Sequence, residues 1–491
     1  ARRTRPNVPF RYGRVPRQLA LGIERAGFIA TVSQPRMLSS QTKTRTPFSI
    51  RASGRRGIAS RAPAAASPQR PGNEKAKRSS AYIEYKNVHP AMEVALYYGF
   101  TPLDSPVIIT KKDRDRARSI QEEMRTDPFS VAPTLEERIA LLRQYGEKKV
   151  NEGMQPVMFC SELLPGAAQR RKPDDRLVLL EIIGSGKSIA DATIIQTAFA
   201  TLREAKHENL TLHINSIGDR ESTGHFTREL GNYYRRHAAS LPNSCKTLLR
   251  INPLEILRCQ HALCRGLSDG APKSIGFLGE GSRRHFKEVL EFLEELEIPY
   301  QIDHALSGGR SFAAETVFEI RETLPESEPV GANLHSPETG LVPRGNSRCL
   351  SAGIRYNTLG KRLGLNKHDV PSIGLNLIVP NADKEWRPSR HFRFRKPSVF
   401  FLQLGFYAKL KSLRVIEILR KARIPIYQAL GRDKLVSQLS AAENLHIPYS
   451  IILGQREALE NSVIIRNTTT RAQETVKIPD LVECLRKMKL G

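Results

Sequence analysis

After residue 397 the hydrophobic period of the chain changes repeatedly. "SVFFLQLG" is an apolar run of strand length, and "FYAKLKSLRVIEILRKA" carries apolar residues at helical spacing. "IPIYQAL", "DKLVSQLSAAENL", "PYSIIL", "NSVIIRN" and "PDLVECLRKMK" continue the exchange. A segment that switches in this way must bury strands beneath helices. Residues 398–491 are therefore expected to form an α/β domain of about a hundred residues with a mixed sheet.

Upstream the pattern differs. The stretch "AYIEYKNVHPAMEVALYYGF" carries apolar residues at helical spacing until Gly99 stops it, and "FTPLDSPVII" reads as extended segments broken by Pro102 and Pro106. A charged helical region from about Arg114 to Val150 leads into an extended pair, "PVMFCSE" and "RLVLLEII". "SIADATIIQTAFATLREA" is expected as an amphipathic helix feeding the buried strand "LTLHINSIG". Residues 221–300 read as mostly helical, and the chain is β-rich from there to about Val379. "NADKEWRPSRHFRFRKP", residues 381–397, is basic and proline-containing and is expected to be a linker. At 491 residues the chain exceeds one ordinary core, so two or three domains are expected.

The charge balance is unusual. There are 77 Lys and Arg against 50 Asp and Glu, a net +27. Before residue 81 there are 18 Arg and Lys and only Glu24 and Glu74, which places +16 of the excess in that segment. Residues 1–78 also lack an apolar period, so they cannot bury enough surface to offset their ordering entropy. That composition suits an organelle transit peptide, a basic RNA-binding arm, or sequence upstream of the true start. The folded remainder is still basic, which suits a polyanionic partner as well as a merely soluble surface. No apolar run approaches the roughly eighteen residues of a membrane span, so no membrane partner is expected.

"VLLEIIGSGKSIADA", residues 178–192, ends like a phosphate-binding loop, but Glu181 stands where that loop needs its first glycine, and a carboxylate there would face the anion. Six cysteines in a chain this long do not make a disulfide framework and suit a reducing compartment. Cys245, Cys259, His261 and Cys264 would supply four soft metal donors, but not at the spacing of a zinc finger or ribbon. Free cysteines are often just small buried residues, so no metal or zinc site is expected.

The tail carries a family resemblance. "SLRVIEILRKARIPIYQALGRDKLVSQLSAAENLHIPYSIILGQREALENSVIIRNTTTRAQETV" resembles the anticodon-binding domain of class II aminoacyl-tRNA synthetases of the histidine type. Leu453-Gly454, Glu457 and the ribbon from Asn467 to Val476 fall in order. The resemblance implies a domain that reads unpaired anticodon bases, with Lys434, Gln455, Glu457, Arg466 and Arg471 as candidate tRNA contacts.

Further upstream, "LSAGIRYNTLGKRLG" is similar to the family's second histidine-specific motif. It retains Gly353, Arg355 and Tyr356, with Ile354 and Asn357 in place of a Gly and an Asp. "RINPLEILRCQHALC" resembles a segment of the family's helical insertion, and "GFTPLDSPVI" its motif 1, which builds a dimer interface. "LEIIG" resembles the end of motif 2, where the family's glutamate accepts a hydrogen bond from the substrate imidazole; here that position is Glu181. The resemblance thus covers 81–491. It implies an α+β class II antiparallel-sheet catalytic-like domain over 79–380, with a helical insertion over about 221–300, the linker 381–397 and the α/β anticodon-binding domain 398–491. A six-stranded antiparallel platform is expected to hold Glu181 and Arg355 around a single cavity.

Activation of histidine requires its carboxylate to attack the α-phosphate of ATP, so fixed cations and Mg²⁺ must meet the charge that builds up. The family's arginines for this are missing. Cys160 replaces the one in motif 2's Phe-Arg-x-Glu, whose final residue is Glu162; a glutamine of the same motif falls near Leu177; and motif 3 aligns Asn381 in place of an arginine. In the first histidine motif only Thr316 to Glu319 persists. Gly308 stands at the catalytic arginine, and Ser311, Phe312 and Ala313 replace Asp-Tyr-Tyr. The resemblance leaves two readings. One is a histidine–tRNA ligase that has rebuilt its ATP clamp from Arg310, Arg355, Arg387 or Arg390, with Arg310 and Arg355 as the catalytic candidates. The other is a catalytically inactive relative that keeps tRNA binding. Substrate-binding candidates are Glu162, Glu181, Gly353 and Tyr356. The implied partners are tRNA, a second copy of the chain, and, in the active reading, histidine, ATP and Mg²⁺. The expected location is the cytoplasm, or an organelle where residues 1–78 act as a transit peptide.

Overall fold

The computed structural model describes residues 81–490 except 104–106, 121–130, 148–155, 164–174, 260, 307–311, 326–346, 366–367, 381–388 and 432. The 1–78 segment, Arg310 and Arg387 lie outside the described residues, as does the side chain of Arg390. The chain begins with β1 (Tyr82–Val88), α1 (Pro90–Tyr97), the short β2 (Thr101–Pro102), α2 (Lys111–Ile120) and α3 (Leu135–Glu147). Next come β3 (Val157–Leu163), β4 (Asp175–Ile183), α4 (Ser188–Glu204) and β5 (Leu210–Ser216). The helical insertion holds α5 (Arg220–Arg236), α6 (Asn243–Ile251), α7 (Ala262–Ser268) and α8 (Glu280–Glu295). β6 (Tyr300–Ile302), β7 (Ala314–Thr323), β8 (Ser347–Arg355), α9 (Leu359–Arg362) and β9 (Ser372–Pro380) then return to the sheet.

These strands form an eight-stranded sheet in the order β2-β3-β4-β9-β8-β7-β5-β6. The six strands from β3 to β5 in that order are antiparallel neighbours, flanked by β2 and β6, which pair in parallel. The expected six-stranded platform is thus present with two short additions at its edges. Strand alternation divides its side chains into two cores. Val178, Leu180, Ile182, Phe318 and Leu375 pack with α4 on one face. Leu177, Leu179, Ile183, Ile354 and Tyr356 pack with α3 on the other.

The rest of the chain is β10 (Ser389–Arg395), β11 (Val399–Gln403), α10 (Phe406–Lys421), β12 (Ile426–Gln428), α11 (Leu435–Asn444), β13 (Tyr449–Leu453), α12 (Gln455–Leu459), β14 (Ser462–Asn467), β15 (Gln473–Lys477) and α13 (Leu481–Lys487). The sheet order is β12-β11-β13-β14-β15. β11 pairs in parallel with β12 and β13, while β13, β14 and β15 are antiparallel, which is the mixed sheet the tail's pattern requires. This module shares apolar core with the platform side: Val399, Phe401 and Ile416 belong to the same cluster as Ala95 and Phe199. Gln428 Nε2 donates to Tyr98 O at 2.8 Å, and Gln196 Nε2 to Leu413 O at 3.0 Å.

Three local expectations change. The stretch read as one helix from residue 81 is a strand and then a helix. Ile83 to Lys86 alternates apolar and polar residues, and the helix starts only at Pro90, where a missing N–H does no harm and His89 Nδ1 accepts from Ala91 N at 3.2 Å. Within 381–397, Phe392 and Phe394 alternate with His391, Arg393 and Arg395, and β10 pairs antiparallel with β1. Helix α4 is not amphipathic; every residue from Ser188 to Leu202 is buried, because it lies between the platform and the C-terminal module. No helix among the described residues is long and apolar enough to cross a membrane.

Candidate active site

Glu181 lies in the middle of β4, opposite Gly374 of β9, and points to the α3 face of the sheet. A Cβ at residue 374 would collide with Glu181 Oε2 and Arg138 Nη1, so glycine leaves the space that carboxylate and guanidinium share. Arg138 comes from the first turn of α3, whose start is fixed by reciprocal capping. Thr134 N donates to Glu137 Oε2 at 2.9 Å, and Glu137 N to Thr134 Oγ1 at 3.2 Å. Arg138 Nη1 donates to Glu181 Oε2, and Tyr356 OH donates to Glu181 Oε1. Arg138 Nη2 donates to Asn376 Oδ1 at 2.7 Å, and Asn376 Nδ2 donates to Glu137 Oε2 at 3.0 Å. Arg138, Glu181 and Tyr356 are 0% exposed, so the network is a closed piece of interior. Burial pushes the Glu181 carboxyl up to about 7, with the Arg138 guanidinium and the Tyr356 hydroxyl pulling against it. Burial and the Glu181 charge push the Tyr356 phenol well above its ordinary range.

Arg355 precedes Tyr356 and therefore faces the other way, into the core shared with α4. Its Nε donates to Asp191 Oδ1 at 3.2 Å, its Nη2 to Asp191 Oδ2, and its Nη1 to Ser185 O at 2.7 Å. Lys187 O accepts from Nη2 at 3.3 Å, and His285 Nε2 lies 3.3 Å from Asp191 Oδ2. Against the upward push of burial, Arg355 and His285 hold the Asp191 carboxyl well below the usual carboxylate range. The loop after Glu181 thus has the opposite polarity to a phosphate cradle. Its carbonyls turn inward onto a guanidinium, while the amides of Gly184 and Ser185 donate to Pro371 O at 2.8 and 3.1 Å. Gly184 ends β4 at φ +92°, and Lys187 Nζ meets Asp433 Oδ2 at the surface, 2.9 Å away.

The single cavity expected around Glu181 and Arg355 is therefore absent: adjacent strand positions sent Arg355 and Tyr356 to opposite faces, and only Tyr356 joins Glu181. Glu162 lies two residues beyond Cys160 on the face away from Glu181, with Oε1 3.5 Å from Arg176 Nη1. Cys160 itself is buried in the apolar core, where burial pushes its thiol far up. Gly353 is a packing position, since a Cβ there would run into the Phe318 ring. Arg310, the other catalytic candidate, lies outside the described residues. An apolar cleft of about 320 Å³ opens toward the β2 edge, between β2, β3, α3 and β12, lined by Pro102, Leu103, Tyr145, Tyr427 and Phe159, the cross-strand neighbour of Glu181.

In the C-terminal module, Lys434 precedes α11 and Gln455 opens α12, both exposed. Glu457 Oε2 accepts from Gly454 N at 3.0 Å, so its carboxylate caps α12. Arg466, half-buried on β14, and Arg471, exposed in the turn after it, share one hairpin.

Sequence reasoning missed Arg138, Asn376 and Asp191. Each carried a signal. Arg138 sits three residues after Leu135 and four before Leu142, on the apolar stripe of α3; Asn376 is the lone polar residue of an apolar run, and Asp191 the lone charge between Lys187 and Arg203. A charge embedded in an apolar stripe calls for a buried partner.

Residues 404–488 match the family of the anticodon binding domain. A histidine–tRNA ligase of Dehalococcoides mccartyi (strain 195) is 26% identical over 413 residues, covering 80% of this chain and 92% of that protein. The chloroplastic histidine–tRNA ligase of Gracilaria tenuistipitata var. liui is 28% identical over 310 residues, or 63% of this chain and 69% of that one. Among solved structures, apo histidyl-tRNA synthetase of S. aureus is 20% identical, with a TM-score of 0.42, covering 80% of this chain and 92% of that chain.

Proposed function

We propose that this chain, which belongs to the histidine type of the class II aminoacyl-tRNA synthetases, acts in translation as a histidine–tRNA ligase-type protein, taking histidine, ATP and tRNA as substrates. The observation that carries this is coverage: the similarity takes in 80% of this chain and 92% of a histidine–tRNA ligase, and residues 404–488 match the anticodon binding domain. In this reading Glu181 and Tyr356 are the polar groups that orient the histidine side chain, the carboxylate as acceptor of a ring N–H. The platform holds that pair rigidly on β4 and at the end of β8, and the C-terminal hairpin presents Arg466 and Arg471 to tRNA phosphates. A homodimer suits the motif 1 segment, with the cytoplasm or an organelle as its place of action.

The described residues do not fit a magnesium-bound ATP clamp. Both guanidiniums buried at the platform, Arg138 and Arg355, already serve carboxylates. The one group of three or more converging metal donors among the described residues is made of thiols, which do not suit Mg²⁺. No phosphoryl-transfer step is therefore assigned to these side chains.

A second reading has a specific observation behind it. Arg138 supplies Glu181 with the N–H donor that a bound imidazole would supply, so the pocket is filled by the chain itself. This favours a catalytically inactive relative that keeps tRNA binding. Histidine-dependent exchange of pyrophosphate into ATP by the full chain separates the two. Exchange above background supports the ligase. Its absence, with tRNA still bound in a filter or mobility assay, supports the inactive relative, and absence of both refutes the family role.

A further inference from the structure

The helical insertion has a core of its own. Phe226, Leu230, Tyr234, Leu241, Leu249, Leu254, Ile256 and Leu257 form a small cluster separate from the two that flank the platform, and Cys245 and Cys264 are part of it. Apart from α5, the elements around it are short: α6 and α7 have nine and seven residues, and a six-residue 3-10 helix, Pro253–Arg258, lies between them. Small, loop-rich units of this kind rarely hold together on apolar burial alone and commonly use a staple.

Three thiols converge here from three separate elements. Cys245 belongs to α6, Cys259 caps the 3-10 helix, and Cys264 lies in α7. Their sulfurs all lie within 4.8 Å of one another, and Cys245 Sγ is 3.6 Å from Cys259 Sγ. A tetrahedral zinc ion with Zn–S bonds of about 2.3 Å holds its sulfurs about 3.8 Å apart, whereas a disulfide needs about 2.0 Å. All three cysteines are free. Thiols that merely fill a core have no reason to converge from three elements with one edge, Cys245 to Cys259, already near that of a metal site.

We propose that Cys245, Cys259 and Cys264 form a structural zinc site that pins the insertion, with solvent as the fourth ligand beside the half-buried Cys259. Uptake of Zn²⁺ by three thiols forms three Zn–S bonds and releases three protons, with no change of oxidation state. His261, the other donor in this stretch, stands outside the group. It is exposed, and its Nδ1 accepts from Leu263 N at 3.4 Å as the cap of α7. Soft thiolates in a tetrahedral arrangement select zinc over the hard cations.

The test uses the full chain, purified under reducing conditions without chelator, with zinc measured by mass spectrometry of the elements. About one zinc per chain is expected, falling to background in Cys259→Ser and Cys264→Ser and unchanged in His261→Ala and in the remote Cys484→Ser. Because a serine variant can fail to fold, the wild-type protein is also stripped and titrated with Co²⁺. A saturable thiolate-to-cobalt charge-transfer band with tetrahedral d–d absorption is expected at one equivalent. Absence of zinc together with absence of that band overturns the site. Loss of metal in His261→Ala overturns the three-thiolate composition, and retention of metal in both cysteine variants marks the ion as adventitious.

Discussion

Replacing Arg138 with Met keeps a long apolar stem on α3 and removes the guanidinium that pairs with Glu181. Removing one partner of a fully buried ion pair costs about 3–5 kcal/mol, because the remaining charge is left in the interior. The pH dependence makes the test sharper. Glu181 has a folded value of about 7 against an ordinary 4.5. A carboxyl raised on folding contributes less stability as pH climbs between those values, at about 1.4 kcal/mol per unit. In the wild type this descent spans pH 4.5 to about 7 and amounts to about 3.5 kcal/mol. Arg138 pulls the value down, so in Arg138→Met the descent continues to higher pH. The stability gap between the two proteins is therefore expected to be smallest near pH 5 and to widen from pH 7 to 9. Urea midpoints followed by circular dichroism at those three pH values measure it. Glu181→Gln cannot titrate, so its own stability lacks this descent, and its gap from the wild type is expected to be largest near pH 5 and to shrink toward pH 7. A gap for Arg138→Met below about 1 kcal/mol, or one equal at all pH values, would refute the closed pair.

Gly374→Ala places a methyl against Glu181 Oε2 and Arg138 Nη1 and is expected to lower stability by about 1–3 kcal/mol, read as a drop in melting temperature; an unchanged melt would mean the pair can move aside. Asp191→Asn leaves Arg355 buried without its counter-ion, an expected loss of about 3–5 kcal/mol at neutral pH. Because Asp191 is held below its ordinary value, the wild type gains that contribution above the usual carboxylate range and loses it as pH falls beneath it, an acid limb the variant should lack. Binding of tRNA is expected to weaken steeply with salt, and Arg466→Ala and Arg471→Ala each to reduce the log–log slope by about one; a flat response refutes the phosphate-contacting hairpin.

Most of the fold was legible because the periods were clean. The β3–β4 pair, the insertion helices and the mixed C-terminal sheet follow from apolar spacing. The errors have physical causes. Residues 82–97 hold a strand and a helix whose apolar residues run together across Pro90, and period alone does not see the break. Helix α4 showed a stripe yet is buried all round, because what packs on its outer side comes from more than two hundred residues further along. Glu181 and Tyr356 were singled out through motif resemblance, and the structure brings the two side chains together. The expected union of Glu181 with Arg355 contradicted a rule already in hand, since consecutive strand residues face opposite ways. The cysteine group was visible as residue types, but its geometry depends on how two turns fold back, which spacing does not encode.

If Glu181 holds the histidine ring as proposed, the Arg138–Glu181 pair also links stability to ligand binding, and the two respond with opposite sign. For a histidine ring to donate to Glu181, Arg138 must leave it. If opening costs the 3–5 kcal/mol of a broken buried pair, the open form is populated at roughly 10⁻² to 10⁻⁴. Apparent affinity falls by the same factor, because a ligand that binds only the open form must first draw the protein into it. Arg138→Met removes the competitor as well as the support. The variant that weakens the fold is therefore expected to bind histidine more tightly than the wild type, by up to about a hundredfold and most at the alkaline end of its stable range, where Glu181 ionises without Arg138, measured by calorimetry below its melting temperature. Adding Glu181→Gln to it should abolish the gain, since the amide cannot replace the carboxylate as a charged acceptor. Equal histidine affinity in the wild type and Arg138→Met would show that Arg138 does not occupy the histidine position, and would remove the observation on which the inactive reading rests.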